Sequence, residues 1–65
     1  MNNYITGAAI RALREKKRLT QHQLAEKLCV SDKAISKWET GKGFPDISLI
    51  EPLANILQVS LPELL

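Results

Sequence analysis

Five residues in one short stretch carry the distinctive chemistry of this chain. Lys33, Ser36, Lys37 and Thr40 recur at i, i+3, i+4 and i+7, and Asp32 stands beside them. At helical period the first four share one face, which offers donors, acceptors and positive charge. The opposite side is a narrow apolar stripe, Ala34, Ile35 and Trp38, at i, i+1 and i+4. Ten residues earlier Leu24, Ala25 and Leu28 repeat that spacing.

Two short amphipathic helices therefore follow one another. The first opens at Thr20, whose hydroxyl can cap the Gln23 amide while the Gln23 side chain reaches back, with Leu19 and Leu24 as a hydrophobic staple. The second opens at Ser31, with Val30 and Ile35 as its staple. Only Cys29 and Val30 remain to turn the chain, too few to lay the helices side by side, so they cross steeply with both stripes facing one core. The pattern is a helix-turn-helix, and it leaves the polar face of the second helix free.

Charge follows the same division. The net charge is +2, yet residues 1–42 hold all nine Lys and Arg against four acidic residues, while residues 43–65 hold three acidic residues and no basic one. A positive field confined to the helix-turn-helix half suits a polyanionic partner, whereas solubilising charge alone would mix both signs. Lys16, Lys17 and Lys27 fit the solubilising role. One cysteine and one histidine exclude an internal disulfide and a structural zinc set, and no cofactor-binding pattern is present. Cys29 and His22 lie almost two turns apart with no further ligands, so neither a metal site nor a redox sensor is expected. There is no nucleophile–base pair and no phosphate-cradling glycine loop, which argues against an enzyme. No apolar run approaches a membrane span or signal-peptide core, and the expected location is the cytoplasm.

The residues Gln21, Leu24-Ala25, Val30-Ser31, Ile35-Ser36, Trp38-Glu39 and Gly41-Lys42, framed by Ile10-Arg11, Leu13-Arg14 and Val59-Ser60, resemble the lambda-repressor-like helix-turn-helix domains, also called the XRE family. The resemblance covers nearly the whole chain. It implies one domain over residues 1–65, an all-α compact bundle of five short helices at about 5–17, 21–28, 32–40, 47–57 and 61–65. It also implies sequence-specific binding to double-stranded DNA by a transcriptional regulator, a repressor rather than an activator. Lysine can donate to guanine, serine to either kind of edge, and a carboxylate can accept from cytosine, so Asp32, Lys33, Ser36 and Lys37 are the expected base readers. By resemblance Gln21 holds a phosphate, with Ser31, Thr40 and Lys42 as further phosphate contacts. In the resembled family an arginine of the first helix pairs with a glutamate of the third. Arg14 lies one turn beyond Ile10 and Glu39 one turn beyond Ile35, and these two carry the match.

Each assignment has a plainer counterpart. Asp32 can serve only the helix dipole, and Lys33 and Lys37 can be ordinary surface lysines. The alternative function is a protein-interaction or antitoxin-type module on the same fold. The polar, basic face favours DNA, because protein interfaces centre on aromatic and apolar anchors.

The flanking chain completes the bundle. Met1 to Tyr4 reads as a loose arm, and the first helix packs through Ala9, Ile10 and Leu13. Gly41 is placed to end the third helix in the left-handed region, and Phe44 is expected to plug the core edge near Trp38. Asp46 caps a fourth helix with the stripe Leu49, Ile50, Leu53, Ala54 and Leu57, whose Pro52 predicts an irregular first turn or a kink. Arg18, Cys29 and Gln58 stand where the family commonly has glycine, which predicts positive φ at all three. Val59, Ser60, Glu63 and Leu64 repeat the cap-and-staple pattern, starting a fifth helix that stops after one turn and implying a longer natural protein. One recognition helix reads too few base pairs to define a genomic site, so a homodimer on DNA through the helix 4–5 region is expected, with Leu61, Leu64 and Leu65 in the contact.

Overall fold

The first three helices and the 3-10 turn ahead of the fourth each begin where a side-chain oxygen accepts from an otherwise unpaired amide. The computed structural model describes residues 6–59. Thr6 Oγ1 accepts from the Ala9 amide at 3.0 Å and opens α1, Gly7–Lys16. Thr20 Oγ1 accepts from the Gln23 amide at 3.0 Å while Gln23 Oε1 accepts from the Thr20 amide at 2.8 Å, a reciprocal box at the head of α2, Gln21–Leu28. Ser31 Oγ accepts from the Ala34 amide at 3.1 Å and opens α3, Asp32–Glu39. The Asp46 carboxylate takes the Ser48 amide at 3.0 Å and its hydroxyl at 2.6 Å, starting a 3-10 turn, Ile47–Leu49, that runs into α4, Ile50–Leu57. Those two bonds hold the Asp46 carboxyl below its ordinary range.

The irregular start of α4 follows from Pro52, which lacks an amide to give to Ser48 and would crowd that carbonyl in a regular helix. Winding the preceding residues as a 3-10 turn moves Pro52 into the first turn of α4, where a missing donor costs little.

All four helices end alike. Leu19 donates to Arg14 O at 3.1 Å, Val30 to Ala25 O at 3.0 Å, Lys42 to Lys37 O at 2.8 Å and Val59 to Ala54 O at 3.0 Å, the long bond of a Schellman motif each time. The motif needs one left-handed residue, supplied by Gly41 at φ 79° and by Arg18, Cys29 and Gln58 at φ 59°, 59° and 58°. Each non-glycine residue there carries strain of about 1 kcal/mol. The expected positive φ is thus present at all three positions.

The core is Ile10, Leu24, Ala25, Leu28, Ile35, Trp38, Ile50, Leu53, Ala54 and Leu57, with Leu13, Val30, Leu49, Ile56 and Val59 packed against it. α3 lies against both α1 and α2, and α4 closes the bundle over α2. Lys17 Nζ donates to Gln58 Oε1, tying the exits of α1 and α4 together. At Gly7 a methyl group would sit 2.2 Å from the Trp38 carbonyl oxygen, so only glycine allows the start of α1 to meet the end of α3 this closely.

Two expectations change. The described residues form four α-helices and a 3-10 turn rather than five helices; the fifth helix at 61–65, like the arm at 1–4, lies outside the described residues. Phe44 does not plug the core, for it is 73% exposed. In this loop Gly43 and Pro45 are half-buried, while Phe44 between them and Asp46 beyond are exposed. Among the described residues no helix is long and apolar enough to cross a membrane.

Candidate nucleic-acid interface

With Ile35 and Trp38 buried, α3 presents its other face outward. Lys33, Ser36, Lys37 and Thr40, joined by Lys42 from the loop beyond, line one shallow open concavity. The Schellman bond from the Lys42 amide to Lys37 O folds the loop back and brings Lys42 to the rim. Three ammonium groups therefore ring two hydroxyls on the exposed side of one helix.

Hydrogen bonding limits what each polar group there can still do. Ser31 uses an oxygen lone pair to cap α3, which leaves its hydroxyl hydrogen free for an outside acceptor. Thr40 Oγ1 instead donates to Ser36 O at 2.8 Å, so its hydrogen is taken and its lone pairs remain. Asp32, at the first position of α3, accepts from His22 of α2. Gln21, at the first position of α2, has its amide nitrogen turned inward, donating to Glu39 Oε1 at 3.1 Å.

The inward network fixes these helices relative to one another. Arg14 Nε donates to Glu39 Oε2 at 2.6 Å and Nη2 to Glu39 Oε1 at 3.0 Å, a two-pronged ion pair between α1 and α3. Arg14 Nη1 donates to Leu19 O at 2.7 Å, just ahead of α2. The two side chains are 10% and 2% exposed, so solvent screens the pair little. Burial alone would push the Glu39 carboxyl up, but the hydrogen bonds from Arg14 and Gln21 and the Arg14 charge hold it below its ordinary range. Among the described residues no buried side-chain nitrogen or oxygen lacks a partner.

Three features were not foreseen from sequence. His22 Nδ1 lies 3.0 Å and 3.2 Å from the two Asp32 oxygens, and Nε2 lies 3.6 Å from Glu26 Oε2. The hydrogen bond that His22 donates to Asp32, then the charges of Asp32 and Glu26, raise the His22 pKa above its ordinary value. The Gln21–Glu39 bond depends on where α3 ends relative to α2, and the Gly7 contact depends on backbone approach; neither has a local sequence signal. Cys29, in contrast, is exposed at the turn between α2 and α3.

A family model described as helix-turn-helix matches residues 10–64. Over 56 residues the chain is 48% identical to the HTH-type transcriptional activator BcrR of Enterococcus faecalis, an alignment covering 86% of this chain and 28% of BcrR. The chain thus spans less than a third of that relative. It matches the P22 c2 repressor protein, solved in complex with a synthetic operator, with a TM-score of 0.84 and 37% identity over 91% of this chain and 89% of that one. It also matches SinR, a master regulator for biofilm formation solved in complex with DNA, with a TM-score of 0.80 and 30% identity over 89% and 94% of the two chains.

Proposed function

The chain belongs to the lambda-repressor-like helix-turn-helix family of DNA-binding transcription regulators, and from that premise we propose that it binds a specific operator with α3 in the major groove. The observation that carries this is the shallow concavity on the free face of α3, which gathers Lys33, Ser36, Lys37, Thr40 and Lys42. Lys33 and Lys37 donate to guanine O6 and N7, Ser36 bonds either kind of base edge, and Asp32 accepts from cytosine N4. Ser31 donates its free hydroxyl hydrogen to a phosphate, and Lys42 meets another from the rim. Gln21 joins them with its second amide hydrogen, beside the free amides at the start of α2. Thr40 needs its hydroxyl to turn away from Ser36 O before it can donate to a phosphate.

On the operator two copies pair across a two-fold axis through the acidic segment from Phe44 onward. Phe44 and Ile47, 73% and 87% exposed, give that segment two uncovered apolar side chains. Pairing makes the operator a near-palindrome and spaces the recognition helices about 34–36 Å apart. Occupancy of such a site is sufficient for repression, which is the proposed sign of regulation.

Titrating unrelated duplex DNA across a salt series tests the binding mode. Steeply falling affinity, with a slope near −0.9 per phosphate contact, is the expected result. Salt-independent binding, or none at low salt, refutes it.

A further inference from the structure

His22 is the one imidazole of the chain, and the operator-binding scheme above gives it no task. It sits in the first turn of α2 with its Nδ1 shared between the two oxygens of Asp32, at 3.0 Å and 3.2 Å. The two side chains are 65% and 58% exposed, so the pair is open to solvent and to any ligand approaching the start of α3. We propose that His22 is a positioning residue for Asp32: by bridging the first turns of α2 and α3 it sets the orientation of the carboxylate and makes recognition by α3 depend on its own protonation. The inference rests on α3 being the reading helix.

The physical basis is charge at one end of that helix. The charged groups acting on the ring are Asp32 from α3 and Glu26 from its own helix, both carboxylates. A protonated ring cancels one of them where the helix meets a polyanion; a neutral ring leaves both uncompensated. Phosphates nearby favour the protonated form further, so binding takes up a proton and affinity falls as pH rises. The bond also restricts geometry. With Nδ1 seated between its two oxygens, Asp32 is held in one rotamer and only its outer lone pairs stay open to a base, whereas a free aspartate turns among rotamers and discriminates less between bases.

The test uses the full chain, a random duplex pool, and the duplex that the wild type enriches from it. Wild-type affinity for that duplex is expected to fall by up to about tenfold between about pH 6 and pH 8. His22→Ala should remove that dependence and relax base preference at one position of each half-site. His22→Asn, which keeps a neutral N–H donor near the place of Nδ1, should lose the pH dependence while retaining the preference. Asp32→Asn should move the pH midpoint downward, a shift that a merely structural histidine would not show.

A Lys33→Ala, Lys37→Ala double variant separates the two levels of inference. If it binds like the wild type at the lower pH, α3 is not the reading helix and the failure belongs to the proposed function. If it loses binding while His22→Ala keeps the wild-type pH profile and base preference, the positioning role of His22 is overturned.

Discussion

Glu39→Ala removes both carboxylate acceptors from a guanidinium held among α1, α3 and the segment leading into α2. The Arg14 side chain is 10% exposed and its partner 2%, so water cannot take the place of the lost carboxylate without opening the bundle. Breaking one side of such a pair costs about 3–5 kcal/mol. A domain of this size, with no disulfide to staple it, has a total stability of about 3–5 kcal/mol. The variant is therefore expected to be largely unfolded in buffer. The double variant Arg14→Met, Glu39→Leu leaves no uncompensated charge; what remains is the Leu19 carbonyl without its donor and the Gln21 amide without its acceptor, neutral groups of which each costs about 1–3 kcal/mol if it stays unpaired. It should fold, and be more stable than the single variant. Urea unfolding followed by the fluorescence of Trp38, the only tryptophan and 6% exposed, reads both. The pair also has a pH signature. The Glu39 pKa is depressed in the fold, so its stabilisation is present above the ordinary value of 4.5 and is lost as pH falls through the lower folded-state value. Acid unfolding of the double variant should lack that component. A Glu39→Ala protein within about 1 kcal/mol of wild type, or a double variant less stable than the single one, would refute the role given to the buried charge.

Gly7→Ala forces α1 away from the Trp38 carbonyl and should lower the unfolding midpoint, at a cost of about 1–3 kcal/mol, although alanine is the better helix former; an unchanged midpoint contradicts the close approach. Cys29→Gly relieves left-handed strain but adds unfolded-state entropy, so a net gain below about 1 kcal/mol is expected in the same assay, and a marked loss would contradict it. Lys42→Ala should weaken all duplexes alike and flatten the salt slope by about one ion. Lys33→Ala and Lys37→Ala should each cost about 1–3 kcal/mol and relax preference at particular bases, a contrast visible in competition binding.

Much of this architecture is local and so could be read before folding. The caps at Thr20 and Ser31 and the repeated stripes of α2 and α3 need only neighbours a few residues away. The left-handed exits at Arg18, Cys29 and Gln58 are also local, since a helix that must turn within two residues has few other ways to satisfy its last carbonyls. The Arg14–Glu39 pair could be inferred because a charge on a core-facing flank requires a partner. What escaped depends on how helices meet. The His22–Asp32 bond exists because the turn at Cys29 sets one crossing of α2 and α3, and the Gly7 contact because α3 ends against the start of α1. The aromatic character of Phe44 suggests burial, yet in its loop it is Gly43 and Pro45 on either side that are half-buried, an arrangement with no local sequence signal.

Selection of bound sequences from a random duplex pool tests operator recognition by α3 most directly. The expected result is a near-palindrome whose half-site centres lie about one helical turn apart, with guanines enriched where Lys33 and Lys37 meet the groove and lost when those lysines become alanine. A recovered pool no different from the input, or one whose preferences survive Lys33→Ala and Lys37→Ala unchanged, would contradict it.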